Sequence, residues 1–153
     1  MAEQSLHLSH DIVRSGSCLC GHVKYQLTGE PSNASLCHCL NCKKTSGSAF
    51  WCTGWFSKKQ MTLTASSPSD LKTYEDRDTE SGSPLWRKFC SNCGSTLFAE
   101  SPRTDDFIVV ALGSLDKDQK PWNTTIEVYA KDDYGWVPQK EGVKVFQGKI
   151  ERI

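Results

Sequence analysis

Eight cysteines distinguish this chain of 153 residues, and seven of them fall in three tight groups. The groups are Cys18-Leu19-Cys20, Cys37-His38-Cys39-Leu40-Asn41-Cys42 and Cys90-Ser91-Asn92-Cys93, whereas Cys52 stands alone. The amino terminus carries neither the basic nor the apolar segment of a signal peptide, so we expect a cytoplasmic protein. Because a reducing cytosol does not sustain a disulfide framework, the clustered thiols indicate metal binding.

The overall composition predicts one globular domain. Eighteen Lys and Arg balance eighteen Asp and Glu, and this zero net charge disfavours nucleic acid and anionic membranes as partners. No apolar run approaches the roughly 20 residues that cross a bilayer. Residues 1–13 are polar and aperiodic, which predicts a flexible tail before a single domain at 14–153. The sequence does not indicate the oligomeric state.

The hydrophobic pattern predicts a mainly β fold. Val23, Tyr25 and Leu27 alternate with polar residues, as in a half-buried strand. One short helical turn is expected from Cys42 to Thr45, with Gly47 ending it. Further strands are predicted at Ala49–Phe56, Met61–Ala65, Leu71–Glu75, Leu85–Phe89, Thr96–Glu100, Phe107–Leu112 and Thr125–Ala130.

The first and last cysteine groups have the spacing of a closed metal site. In an extended backbone, Cys18 and Cys20 project from the same face. Cys90 and Cys93, followed by Gly94, form a knuckle pattern in which a tight turn directs two thiolates at one ion. Four thiolates leave no coordination position for chemistry, so this site is predicted to be structural.

The middle group predicts a different kind of site. Cys37 and Cys39 share a strand face and Cys42 follows at the helical turn, so three sulfurs converge. Three protein ligands with one open position are typical of catalytic zinc. His38 or Cys52 as a fourth ligand would instead make the site structural. His38 alternates to the opposite face, and Cys52 lies in an apolar run that favours core packing.

Three segments resemble the glutathione-dependent formaldehyde-activating family, also called the CENP-V/GFA domain. They are Gly16–Tyr25, Cys37–Phe50 and Phe89–Phe98, and their order and spacing both match. A closing segment with Ile126–Tyr129, Trp136 and Phe146 is also similar, so the resemblance covers about residues 14 to 148.

This resemblance implies an Mss4-like fold of twisted antiparallel sheets with two zinc ions per chain. The positions that match the family's structural zinc are Cys18, Cys20, Cys90 and Cys93, and those that match its second zinc are Cys37, Cys39 and Cys42. It further implies carbon–sulfur lyase chemistry, in which glutathione is joined to or released from a small carbonyl such as formaldehyde.

Zinc lowers the pKa of a coordinated thiol, so glutathione would be held as a thiolate next to an aldehyde and would form a hemithioacetal. Lys43 and Lys44 are candidates to pair with glutathione carboxylates, although a lysine pair on a turn is also typical of a solvated face. We expect Tyr25, Phe50 and Trp51 to wall an apolar pocket near the second metal.

Two other functions fit parts of the sequence. A methionine sulfoxide reductase of the B type needs a late nucleophilic cysteine, and only Cys52 is available, in apolar surroundings that raise a thiol pKa. A non-enzymatic zinc module would bind a protein partner through loop tryptophans such as Trp122 and Trp136. A fourth protein ligand at the second metal would favour the module, and an open position the enzyme.

Overall fold

The structure is a computed structural model that describes residues 12–117 and 122–150. These residues form eleven strands in two sheets, with one α-helix and five short 3-10 turns, so the predicted mainly β fold is confirmed. The tail predicted at residues 1–13 lies almost entirely outside the described residues. No helix in the described parts of the chain is long and apolar enough to cross a membrane.

The strands are β1 Val13–Ser17, β2 Val23–Thr28, β3 Asn33–Cys37, β4 Trp51–Ser57, β5 Met61–Ala65, β6 Leu71–Asp76, β7 Leu85–Cys90, β8 Thr96–Glu100, β9 Phe107–Ala111, β10 Ile126–Val128 and β11 Lys144–Val145. The α-helix, α1, spans Leu40–Ser46. The 3-10 turns are Lys58–Gln60, Pro68–Asp70, Pro102–Thr104, Leu112–Ser114 and Ala130–Asp132.

The smaller sheet has the order β1-β2-β5 and is antiparallel. The larger sheet has the order β11-β10-β3-β4-β9-β8-β7-β6. It is antiparallel except at β10, which pairs in parallel with β3 on one side and with β11 on the other. β3 lies between β10 and β4 in this sheet, and its last residue, Cys37, is the first cysteine of the middle group.

The alternation predicted for β2 is confirmed, since Val23, Tyr25 and Leu27 are buried and the residues between them are exposed. Their side chains pack with Phe56 and Phe98 in a core between the two sheets. Burying apolar area of this kind is the main stabilising contribution to folding. A second, smaller cluster contains Cys42, Trp51, Ala99 and Ala111. Each cysteine site therefore borders its own part of the core.

Candidate functional site

The first cysteine site joins the ends of two strands from different sheets. Cys18 and Cys20 follow β1 in a turn closed by the Gly21 amide on the Cys18 carbonyl, at 3.0 Å. The extended backbone expected at this pair is therefore wrong: a turn with Gly21 at φ +78° directs both sulfurs. Cys90 ends β7, and Gly94 closes the predicted knuckle with φ +74°.

The four sulfurs are spaced as a tetrahedral metal site requires. Cys18 Sγ is 3.6 Å from Cys20 Sγ, which is 3.7 Å from Cys90 Sγ. Four sulfurs at about 2.3 Å from one zinc ion would stand about 3.8 Å apart. A disulfide would bring two sulfurs to about 2.05 Å, and all eight cysteines are free. The donor chemistry and the spacing of Cys18, Cys20, Cys90 and Cys93 thus fit a metal ion.

Neighbouring polar groups donate hydrogen bonds to two of these sulfurs. The Val23 amide donates to Cys18 Sγ at 3.2 Å. Hydrogen bonds from Ser95 lower the pKa of Cys93 to about 5. Backbone and hydroxyl donors of this kind orient thiolate ligands and stabilise their charge.

The second site is built within ten residues of chain. Cys37 is the last residue of β3, and Cys39 caps the amino end of α1 by accepting the Cys42 amide at 3.4 Å. Cys39 was expected on the strand and the helical turn was expected from Cys42, but β3 ends at Cys37 and α1 already begins at Leu40. Gly47 ends α1 in the left-handed conformation, as predicted. The three sulfurs lie within 4.8 Å of one another.

These sulfurs strongly influence each other's ionisation. Hydrogen bonds from Cys37 and Cys42 lower the pKa of Cys39 to about 2, despite partial burial. Hydrogen bonds with Cys39 and Cys42 raise the pKa of the Cys37 thiol, because Cys39 takes the negative charge. Hydrogen bonding within the cluster therefore favours negative charge on Cys39, and a bound cation would favour the thiolate form of all three cysteines.

Trp51 lies next to the second cysteine site, as expected, whereas Tyr25 lies in the other part of the core. Trp51 is the direct partner of Cys37 across β3 and β4, and it packs in the cluster with Cys42. Phe50 stacks edge-on against His38, with ring centroids 6.0 Å apart. Tyr25 instead packs in the core with Cys18 and Cys90, and its hydroxyl bonds to Ser114 at 2.6 Å. The expectation for Tyr25 is therefore wrong, because its strand belongs to the other sheet.

The two candidate lysines differ in environment. Lys43 is buried, and its Nζ donates to the Asp132 carbonyl at 2.7 Å and lies 4.1 Å from the centre of the Tyr134 ring. The Lys43 ammonium therefore already has partners within the chain. Lys44 is exposed and remains the freer of the two for an anionic ligand. The contact of either lysine with glutathione stays a prediction.

Neither candidate fourth ligand joins the three sulfurs. His38 is fully buried, with Nε2 at 3.2 Å from Oε2 of the equally buried Glu127. Cys52 is half-buried and pairs across the sheet with Leu36, on the face opposite Trp51 and Cys37. Burial raises the pKa of the Cys52 thiol. Among residues 12–117 and 122–150, no other Cys, His, Asp or Glu donor completes the group.

Sequence reasoning missed two features beside this site. Arg87 on β7 brings Nη1 and Nη2 to 3.8 and 3.9 Å from Cys42 Sγ. Tyr129 follows β10 with φ +56°, the one positive φ outside glycine in the described chain, and strained backbone of this kind clusters at functional sites. Burial, then the charges of Cys37 and Cys39, raise the Tyr129 pKa to about 12. Arg87 could have been noticed in the sequence as a charged residue inside a strand, three residues before the Cys90 knuckle.

Comparisons with known proteins agree with this architecture. The chain is similar to a Halomonas elongata protein named "Putative glutathione-dependent formaldehyde-activating enzyme", with 26% identity over 87% of the chain and 86% of the relative. An "Uncharacterized lyase" of Schizosaccharomyces pombe is 31% identical over 54% of each protein. The crystal structure of a Rhodobacter sphaeroides protein shares the fold, with a TM-score of 0.51 and 18% identity over 71% of this chain and 99% of the other.

The family described as glutathione-dependent formaldehyde-activating enzyme matches residues 13–132, a span that contains both cysteine sites and all eight cysteines. This span covers most of the two sheets as well. The chain therefore belongs to the glutathione-dependent formaldehyde-activating family.

Proposed function

We propose that this protein is a zinc-dependent carbon–sulfur lyase that acts on glutathione adducts of a small carbonyl or related electrophile. The observation that carries the proposal is the three-sulfur group of Cys37, Cys39 and Cys42, with no fourth donor in the described chain. Membership of a family described as glutathione-dependent supports glutathione as the co-substrate. Eight free thiols are consistent with the reducing cytoplasm expected from the sequence.

The donor sets support two zinc ions in different roles. Thiolates are soft ligands that suit zinc, and both sets bring their sulfurs within 4.8 Å. Cys18, Cys20, Cys90 and Cys93 would hold a closed structural ion, while Cys37, Cys39 and Cys42 would hold an ion with a position left for a ligand. A zinc ion bound at the second set would lower the pKa of a coordinated thiol and supply a thiolate near neutral pH.

The proposed reaction needs no oxidant or reductant. The sulfur of glutathione forms a bond to the carbonyl carbon while the carbonyl oxygen takes up a proton, which gives a hemithioacetal. In the reverse direction the carbon–sulfur bond breaks, the hydroxyl loses its proton and the carbonyl reforms. Trp51, buried next to Cys42, would exclude water from the sulfurs of the second site. Phe50, the residue before it, would extend the apolar wall.

Charge complementarity supports a place for glutathione near α1. Lys44 is exposed on this helix, five residues after Cys39 at its amino end. Its ammonium would pair with a glutathione carboxylate, and the Lys43 ammonium, bonded to the Asp132 carbonyl, would add positive potential to the same helix. Such exposed pairs contribute little to affinity individually, so loss of Lys44 should weaken binding only a few-fold.

One surface favours the alternative of a partner-binding zinc module. Tyr134 and Trp136 stack with ring centroids 6.3 Å apart, and both are more than half exposed. Exposed aromatic side chains are frequent anchors in protein interfaces. Trp122, the other loop tryptophan, packs edge-on against Phe56 and is not available in the same way.

Titration of the zinc-loaded protein with glutathione and formaldehyde tests the enzyme. We expect glutathione to bind, and NMR to show faster formation of the hydroxymethyl adduct than in buffer alone. Cys42→Ser should abolish both effects, while the matched substitution Cys52→Ser should leave them unchanged. A folded, zinc-loaded protein that binds no glutathione would overturn the proposal and leave the partner-binding module.

A further inference from the structure

A chain of three polar side chains ends on one of the sulfurs of the second site. Asn41 Nδ2 donates to both carboxylate oxygens of Asp76 at 3.0 Å and to the Asp78 carbonyl at 2.7 Å. Asp76 Oδ2 accepts from Arg87 Nε at 2.8 Å. Arg87 Nη1 and Nη2 then face Cys42 Sγ at 3.8 and 3.9 Å. The two ends of the chain, Asn41 and Cys42, are neighbours on α1.

Burial makes this arrangement more than a surface ion pair. Arg87 and Asp76 are 6% and 5% exposed, so water supplies little solvation to either charge. A buried ion pair is retained only where its remaining polar atoms find partners, because desolvation otherwise exceeds the Coulombic gain. Asp76 engages only the Nε side of the guanidinium. Within the described residues, Cys42 Sγ is the acceptor that the terminal nitrogens face.

A metal site built from three thiolates would be negatively charged, which gives the Arg87 guanidinium an anionic partner. Three thiolates around one divalent cation carry a net charge of −1, and a glutathione thiolate would make it −2. An arginine remains positive at every physiological pH and presents a rigid fork of N–H donors. Hydrogen bonds to a ligand atom orient that ligand and tune the metal, and their loss typically weakens metal binding about 10–100-fold.

We propose that Arg87 is a positioning residue of the second metal site, which donates to the Cys42 thiolate and is itself held in place by Asp76 and Asn41. Its positive charge stabilises the anionic three-sulfur site and favours the arrival of a further thiolate. Trp51, whose ring centre lies 5.7 Å from Arg87 Cζ, packs beside it in the same apolar surroundings. Only the second effect, the arrival of a further thiolate, rests on the proposed function.

Metal affinity measured without glutathione tests the role directly. Zinc is titrated against a chromophoric chelator for the wild type and for Arg87→Gln, and the sulfur-to-cobalt absorption is recorded after cobalt replaces zinc. We expect the second ion to bind 10–100-fold more weakly in Arg87→Gln, with a shifted cobalt band and with the first ion unaffected. Arg103→Gln is the matched control, because Arg103 is an exposed arginine in the Pro102–Thr104 turn, outside the Asn41–Asp76–Arg87 chain.

Two milder variants keep the test decisive if Arg87→Gln does not fold. Arg87→Lys keeps the charge but cannot reach Asp76 and Cys42 together, so part of the affinity should return. Asn41→Ala removes the support of Asp76 without burying a charge, so the second ion should bind a few-fold more weakly. Wild-type zinc affinity and an unchanged cobalt band in these variants would overturn the role.

The two proposals fail in different ways. If the enzyme proposal is wrong but Arg87 positions Cys42, the zinc and cobalt measurements change with Arg87 while glutathione leaves the cobalt spectrum unaltered. If Arg87 is only a core residue, glutathione perturbs the cobalt spectrum of wild type and Arg87→Gln with the same midpoint.

Discussion

Replacing one cysteine in each site should separate their contributions to stability. The first site joins Cys20 to Cys90 across seventy residues of chain, whereas the second lies entirely within residues 37–42. In the unfolded chain, the second set is one short peptide that binds metal without folding. The first set must close a long loop before it binds, so its metal favours the folded state more strongly.

The size of this difference follows from the cost of loop closure. That cost rises as (3/2)RT ln n, so closing seventy residues rather than five costs about 2 kcal/mol more. For a chain of this size, each kcal/mol shifts the melting temperature by about 2–4 °C. Cys93→Ser should therefore melt about 4–8 °C below Cys42→Ser, because the two substitutions are chemically the same and differ in the site that they weaken.

Thermal melts by circular dichroism, with zinc content measured on the same samples, check this expectation. Cys52→Ser serves as the control, since that thiol lies outside both sulfur groups and should retain both ions. Each of the other two variants should lose about one zinc ion. If Cys42→Ser melts at or below the temperature of Cys93→Ser, the division into a structural and a reactive site is wrong.

Three further outcomes are expected. Metal analysis should find two zinc ions per chain, of which a mild chelator removes one without loss of the β-sheet signal; a single ion released only on unfolding would contradict this. Gly16→Ala should destabilise the fold by about 1–3 kcal/mol, because the new methyl group would collide with the Tyr25 ring, whereas Gly113→Ala meets no neighbour within 4 Å. Burial opposes ionisation of Glu100, but Lys88 and Lys58 outweigh it and lower its pKa. Glu100→Gln should therefore cost about 0.5–1 kcal/mol at pH 7, and this difference should disappear as the pH falls from about 4.3, the unfolded value, through the lower folded value. A stability difference that persists in acid would exclude this cause.

The sequence by itself determined the features that depend on local spacing. Cysteines two or three residues apart share a turn, so both sulfur groups were predictable, as was the αL glycine that ends α1. The strand β2 was recognisable from its period of two. The polar strand β3 was not, because its buried Ser35 finds hydroxyl partners only across the sheet, with Thr53 at 2.8 Å. β1 was missed for a related reason, since its Gly16 leaves room for a ring from the neighbouring strand.

Only the tertiary structure decided which distant residues meet at each site. Sheet membership placed Tyr25 with the first cysteine site instead of the second, because β2 lies in the smaller sheet. Strand register placed Arg87 against Cys42, forty-five residues away in the chain. A shift of one residue in β7 would turn that side chain to the other face of the sheet. Spacing along a chain specifies which ligands a site contains, but the charges around those ligands come from pairing between strands, which no local pattern encodes.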